Sequence, residues 1–109
     1  MSVVIRTDAP PIRQDETGAL RVGSSRVLLE LVIRDFQDGS TPETIVQQYP
    51  SLALSDVYAV IGYYLRHREE MESYLSQRDA LARQVQQRIE NSQGDLREIR
   101  QRLLARSRP

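Results

Sequence analysis

The side chains of this chain that could do chemistry are almost all arginines and carboxylates, and their spacing is that of binding surfaces. The only histidine, His67, stands between Arg66 and Arg68. Positive neighbours disfavour an imidazolium, and no ligand cluster surrounds the ring, so His67 reads as a solvated helix residue. Glu69, Glu70 and Glu72 follow Arg66 and Arg68 at the three- and four-residue spacing of a charged helix face. There is no glycine-rich phosphate loop, no nucleophile elbow and no paired-carboxylate spacing. The expectation is a non-enzymatic protein with no metal site and no cofactor.

What remains is charge recognition. All fifteen cations are arginine, whose planar fork suits bidentate contact with carboxylate or phosphate. The net charge is zero, yet residues 1–65 hold five arginines against eight acids and residues 66–109 hold ten against seven. From Arg97 onward there are five arginines and one acid, Glu98. With 109 residues, 39% apolar and 28% charged, the chain supports one small core plus an extension into solvent. The absence of cysteine excludes disulfides and thiolate metal sites. The apolar start is cut by Arg6 and Asp8, unlike a signal peptide, and no run approaches the ~18 apolar residues of a membrane span. A cytoplasmic location is the default expectation.

The elements that must position these groups are punctuated by glycine and proline. Val3–Ile5 reads as a short strand. Residues 11–22 read as a hairpin around the turn Asp15-Glu16-Thr17-Gly18. Gly23-Ser24-Ser25 closes it and offers an N-cap to a first helix at 27–37. On that helix Val27, Leu28, Leu31, Val32 and Phe36 form one face, widened by Leu29 and Ile33. Gly39 stops it, Thr41 caps a second helix with Pro42 at its first position, and Pro50 ends that helix near Tyr49. A third helix opens at Leu54 or Ser55, with Asp56 in its first turn and Val57, Val60, Ile61, Tyr64 and Leu65 facing inward.

Beyond Leu65 the pattern becomes a seam. Met71, Arg78, Val85, Ser92 and Ile99 are seven apart, and so are Leu75, Ala82, Ile89, Leu96 and Leu103, offset by four. Gly94 is expected to break or kink this helix after Asn91 and Ser92, with Asp95 restarting it. A lone helix with so narrow a stripe is marginal in water, so the stripe calls for a partner. The domain division expected is 1–66 for hairpin and helix pair, and 67–109 for an amphipathic helical arm.

Two compact helices joined by a turn, with a longer helix in front, have the form of a helix-turn-helix unit. The third helix would be the recognition helix, presenting Ser55, Tyr58, Ala59 and Gly62. Ser55 and Tyr58 would approach the bases or backbone of DNA, and Arg66 and Arg68 are the nearest cations for phosphates. Against this, the only charge early in that helix is the anionic Asp56, and the turn at 49–54 is longer than usual. Tyr58, Tyr63, Tyr64 and Tyr74 are better explained by packing than by base stacking.

The order Val22-Gly23, Arg26-Val27, Gly39-Ser40, Pro42-Glu43, Ile45, Tyr49-Pro50, Leu52, Leu54, Asp56-Val57-Tyr58-Ala59-Val60-Ile61 and Tyr63-Tyr64-Leu65 resembles the bacterial family catalogued as domain of unknown function 433. The resemblance covers about residues 10–75. One departure is Ser24-Ser25, where the family has Gly-Thr before the arginine. The resemblance implies a homeodomain-like helical fold and the role of a VapB-like type II antitoxin beside a PIN-like ribonuclease toxin.

The expected fold is therefore mainly α: a homeodomain-like helix-turn-helix three-helix core, a small N-terminal β-hairpin and a long C-terminal helical arm. The expected function is toxin binding and inhibition, with autoregulation through operator DNA. Met71, Leu75, Val85, Ile89, Leu96, Ile99 and Leu103 would lie in a groove of the toxin. An arginine, Arg100 or Arg102 before Arg97 or Arg106, would enter the carboxylate cluster that holds the nuclease's metal. A homodimer through the N-terminal half, with Val3–Ile5 as a strand edge, accompanies this reading. The rival is a homo-oligomeric scaffold that uses the heptad seam on itself.

Overall fold

The computed structural model describes residues 2–106, apart from the side chains of Asp95 and Arg106. Two strands, β1 (Ile12–Gln14) and β2 (Leu20–Val22), pair antiparallel with Ile12 opposite Val22 and Gln14 opposite Leu20. Four helices follow: α1 (Leu29–Gln37), α2 (Pro42–Gln48), α3 (Leu54–Arg66) and α4 (Arg68–Arg106). The chain divides into two compact units, Met1–Met71 and Glu72–Pro109. Among the described residues no helix is long and apolar enough to cross a membrane.

The hairpin forms where the turn chemistry demanded it. The Asp15 carboxylate accepts from Thr17 N at 2.8 Å, Thr17 Oγ1 at 2.6 Å and Ala19 N at 3.1 Å, while Gly18 takes φ +88°. Val3–Ile5, by contrast, forms no strand: its three side chains are exposed and pair with nothing that would hold an extended edge. The strand edge expected for an N-terminal dimer is thus not formed.

Helix α1 begins two residues later than its apolar pattern suggested. Val22 N donates to Val27 O at 3.1 Å and Leu28 bridges Arg21, so residues 27–28 serve the sheet before the helix can start. Leu28 occupies the N-cap without a side-chain cap. Ser25 instead closes the preceding turn, donating to Val22 O at 2.6 Å and accepting from Val27 N at 3.2 Å. The buried face also differs from the expected one. Leu29, Val32 and Ile33 are fully buried and are the core stripe itself, whereas Leu31 lies exposed at its edge.

At the end of α1, Gly39 adopts φ +100°, Gly39 N donates to Phe36 O and Ser40 N to Asp35 O. This double closure turns the chain toward α2. Thr41 Oγ1 accepts from Thr44 N at 3.2 Å and Pro42 stands in the first turn. Residues 49–53 connect α2 to α3, with Leu52 buried beneath the connection. On α3 the buried set is Val57, Val60, Ile61 and Tyr64. Leu65 is exposed, at the edge of that stripe and about 100° around the helix from Tyr64. The core of the first unit joins these residues to Ala19, Val22, Ile45 and Met71, all buried.

Helix α4 runs unbroken through Gly94, contrary to the expected break. Gly94 keeps a non-positive φ, and a glycine within a helix costs only about 0.5–1 kcal/mol relative to alanine. Glutamines, arginines and leucines around it are good helix formers and outweigh that cost.

Candidate interaction surfaces

The early part of α3 presents Ser55, Tyr58 and Ala59 to solvent. Tyr58, half exposed, donates its hydroxyl to the Glu43 carboxylate on α2. That hydrogen bond holds the Glu43 carboxyl below its ordinary range and pushes the Tyr58 phenol up, so Tyr58 stays a neutral donor at physiological pH. The link fixes α2 against α3 and places a negative group beside the face expected to meet DNA. Asp56 does not face that surface. Its carboxylate sits against Gly23, where an added Cβ would lie 2.6 Å from Asp56 Oδ2. An acid in the first turn of α3 therefore packs on the glycine turn that follows β2, a contact between residues 33 positions apart that the sequence alone did not disclose.

The two cations expected to hold phosphates lie elsewhere. Arg66 ends α3 and Arg68 opens α4, eight or more residues from Tyr58, or about 12 Å along a helix. The Arg66 guanidinium folds back over Gly62, within 3.7 Å of the position a Cβ would take. His67 is the C-cap of α3 and not a residue within a helix. It is exposed, and its ring stacks on Tyr63 at 4.3 Å and 30°. Arg68 lies over the ring of Tyr64 at 5.8 Å from the centroid. Tyr64 is buried, accepts from Gln37 Nε2 at 3.0 Å and meets Phe36 edge-on. Of the four residues expected to touch DNA, Ser55 and Tyr58 thus share one end of α3 and Arg66 and Arg68 share the junction at its other end.

A third polar surface lies at the hairpin. Arg13 donates to Gly23 O at 3.0 Å and Ser25 O at 2.6 Å, and Arg21 donates to Asp15 at 2.8 Å and to Arg26 O. These guanidinium groups are committed to backbone carbonyls and to Asp15. They pin the hairpin to the entrance of α1.

On the arm the expected partner residues divide. Met71 and Leu75 are buried within the chain, so they are not open to a groove on another molecule. The open stripe begins beyond them, with Leu81, Val85, Ile89, Leu96, Ile99 and Leu103 each between 46% and 59% exposed. Arg97, Arg100 and Arg102 flank it and are exposed, while the side chain of Arg106 lies outside the described residues. Among the described residues no group of three or more His, Asp or Glu is placed to hold a metal ion.

The described residues thus comprise a compact helical unit with a hairpin and a long charged helix whose apolar stripe from Leu81 to Leu103 is exposed. The family model described as "Protein of unknown function (DUF433)" matches residues 17–64, so this segment of the chain is similar to that family. The matched residues run from the hairpin turn to the buried Tyr64, leaving α4 outside. Neither the curated proteins nor the solved structures contain a significant match to the chain.

Proposed function

We propose that this protein is the non-enzymatic, VapB-like antitoxin of a type II toxin–antitoxin pair, acting in the cytoplasm on a PIN-like nuclease. One observation carries the reading: after a well-packed first unit, α4 keeps an exposed apolar stripe from Leu81 to Leu103 flanked by Arg97, Arg100 and Arg102. Such a helix suits an apolar groove beside a cluster of acids. A guanidinium at Arg100 or Arg102 is stereochemically able to pair with metal-binding carboxylates and compete with their cation. In this reading helices α1 to α3 are a homeodomain-like helix-turn-helix, with Ser55 and Tyr58 toward operator DNA and Arg66 and Arg68 toward phosphates.

The test is co-expression with the product of the adjacent gene, scoring complex formation and rescue of growth. Full-length protein is expected to bind that product and restore growth. A chain truncated after Asn91 is expected to stay folded and lose inhibition, because Leu96, Ile99, Leu103 and the flanking arginines go with it. Full inhibition by the truncated chain would exclude the distal arm. Normal inhibition by an Arg100→Ala/Arg102→Ala variant would exclude the arginine mechanism alone.

A further inference from the structure

We infer that, in the absence of any other partner, the distal arms of two copies of this chain pair antiparallel through residues 78–103, with the two-fold axis between Glu90 and Asn91. The stripe left open on α4 has a pattern that is complementary to itself in only one direction. In this antiparallel register each seam residue faces the one whose number completes 181, so large residues meet small ones. Ile99 meets Ala82 of the second copy, Leu96 meets Val85, and Ile89 meets Ser92. Each of these six side chains is exposed, so the second copy would cover surface that the chain itself leaves open. Arg78 faces Leu103 at either end, where its stem can cover apolar surface while the guanidinium reaches water.

The flanking charges agree with the direction. Asp79 and Arg100 stand at matching positions beside the seam, so each copy's Asp79 faces the other's Arg100, which gives two such contacts per pair. A parallel pair would set Arg78 against Arg78 and Ser92 against Ser92 in the seam, and would bring two copies of the basic stretch from Arg97 to Arg102 together. The paired stretch is about 39 Å long, more than three heptads, which is enough for a coiled coil where the lone helix is marginal. The register leaves out Met71 and Leu75, the two seam residues that are already buried. This pairing is independent of whether a nuclease is the protein's target.

The native chain has no cysteine, so engineered thiols report cleanly. Full-length chains carrying Ala82→Cys and others carrying Ile99→Cys are purified, mixed and mildly oxidised. The expected product is the disulfide between the two variants, with little product from either alone. A dominant Ala82→Cys self-disulfide would show a parallel seam and overturn the register. No cross-link in any mixture would overturn pairing through the arm, including the case of a dimer held by the N-terminal half. Asp79→Arg is expected to lower the mixed cross-link several-fold, and adding Arg100→Asp on the same chain to restore it. Failure of that restoration would overturn the charge-matched register even if some association persisted.

Discussion

At the scale of single residues, the first unit is held by a few polar contacts whose removal has defined consequences. Asp15 is the clearest. Its hydrogen bonds from Thr17, then Arg21, hold its carboxyl well below the usual carboxylate range. As pH falls, the unfolded chain takes up this proton first, near an ordinary value of about 3.9. Its contribution is therefore complete above that value and is lost as pH falls through the folded group's lower range. An Asp15→Asn variant is expected to be less stable than the parent near neutrality, and the gap in urea midpoint is expected to shrink in acid. A gap that stays constant from neutral pH to about pH 2, below the ordinary aspartate value, would refute the assignment. Gly23 gives a second case. Its φ of +57° and the nearness of Asp56 disfavour any side chain, so Gly23→Ala is expected to cost at least about 1–2 kcal/mol, read from chemical unfolding. The same substitution at Gly94, which has open space and helical backbone, should do the opposite.

The elements follow the balance between local preference and packing. Helix α4 tolerates Gly94 because a single glycine is a small loss spread over a helix of 39 residues. Gly94→Ala is expected to raise the helix content and the thermal midpoint of the arm, consistent with about 0.5–1 kcal/mol, measured by circular dichroism. An unchanged melt would mean that the arm's helicity is set by a partner's packing and not by its own backbone. Helix α3 carries a different balance. Its buried stripe fixes its rotation, so Tyr58 is directed to the Glu43 link and Arg66 to Gly62. If α3 reads operator DNA, replacing Arg66 and Arg68 with glutamine should flatten the salt dependence of binding by roughly two phosphate contacts. Tyr58→Ala should weaken binding with the fold intact by circular dichroism. Absence of operator binding by the wild type, alone or with its partner, would remove that role.

For the whole molecule, the consequential feature is the division between a unit that buries its own apolar residues and an arm whose stripe from Leu81 to Leu103 is exposed. The domain buries Leu29, Val32, Ile33, Ile45, Val57 and Val60 completely. Ile45→Ala is expected to cost about 2–5 kcal/mol, as cavity-forming core substitutions do, and to unfold this small domain at a lower urea concentration. Leu96→Ala on the arm should leave that domain transition unchanged and weaken association instead. Unfolding and association measured on the same two variants would separate the roles of the two units. Equal losses of domain stability would show that the arm is part of the core.

Much of this was determined by the sequence alone, because it depended on contacts close along the chain. The turn at Asp15–Gly18, the stop at Gly39 and the cap at Thr41 with Pro42 are local patterns, and each took its expected form. The tertiary structure decided what depended on distant partners. Residues 27–28 were drawn into bridging β2, which moved the start of α1, and the packing of α1 buried Leu29 and Ile33 while leaving Leu31 exposed. Asp56 met Gly23, Tyr58 met Glu43, and Met71 and Leu75 were taken from the stripe by burial. Periodicity reports that a residue is apolar and on which side it lies, but not whether the chain's own fold reaches it first. That competition for surface is settled only when the elements pack.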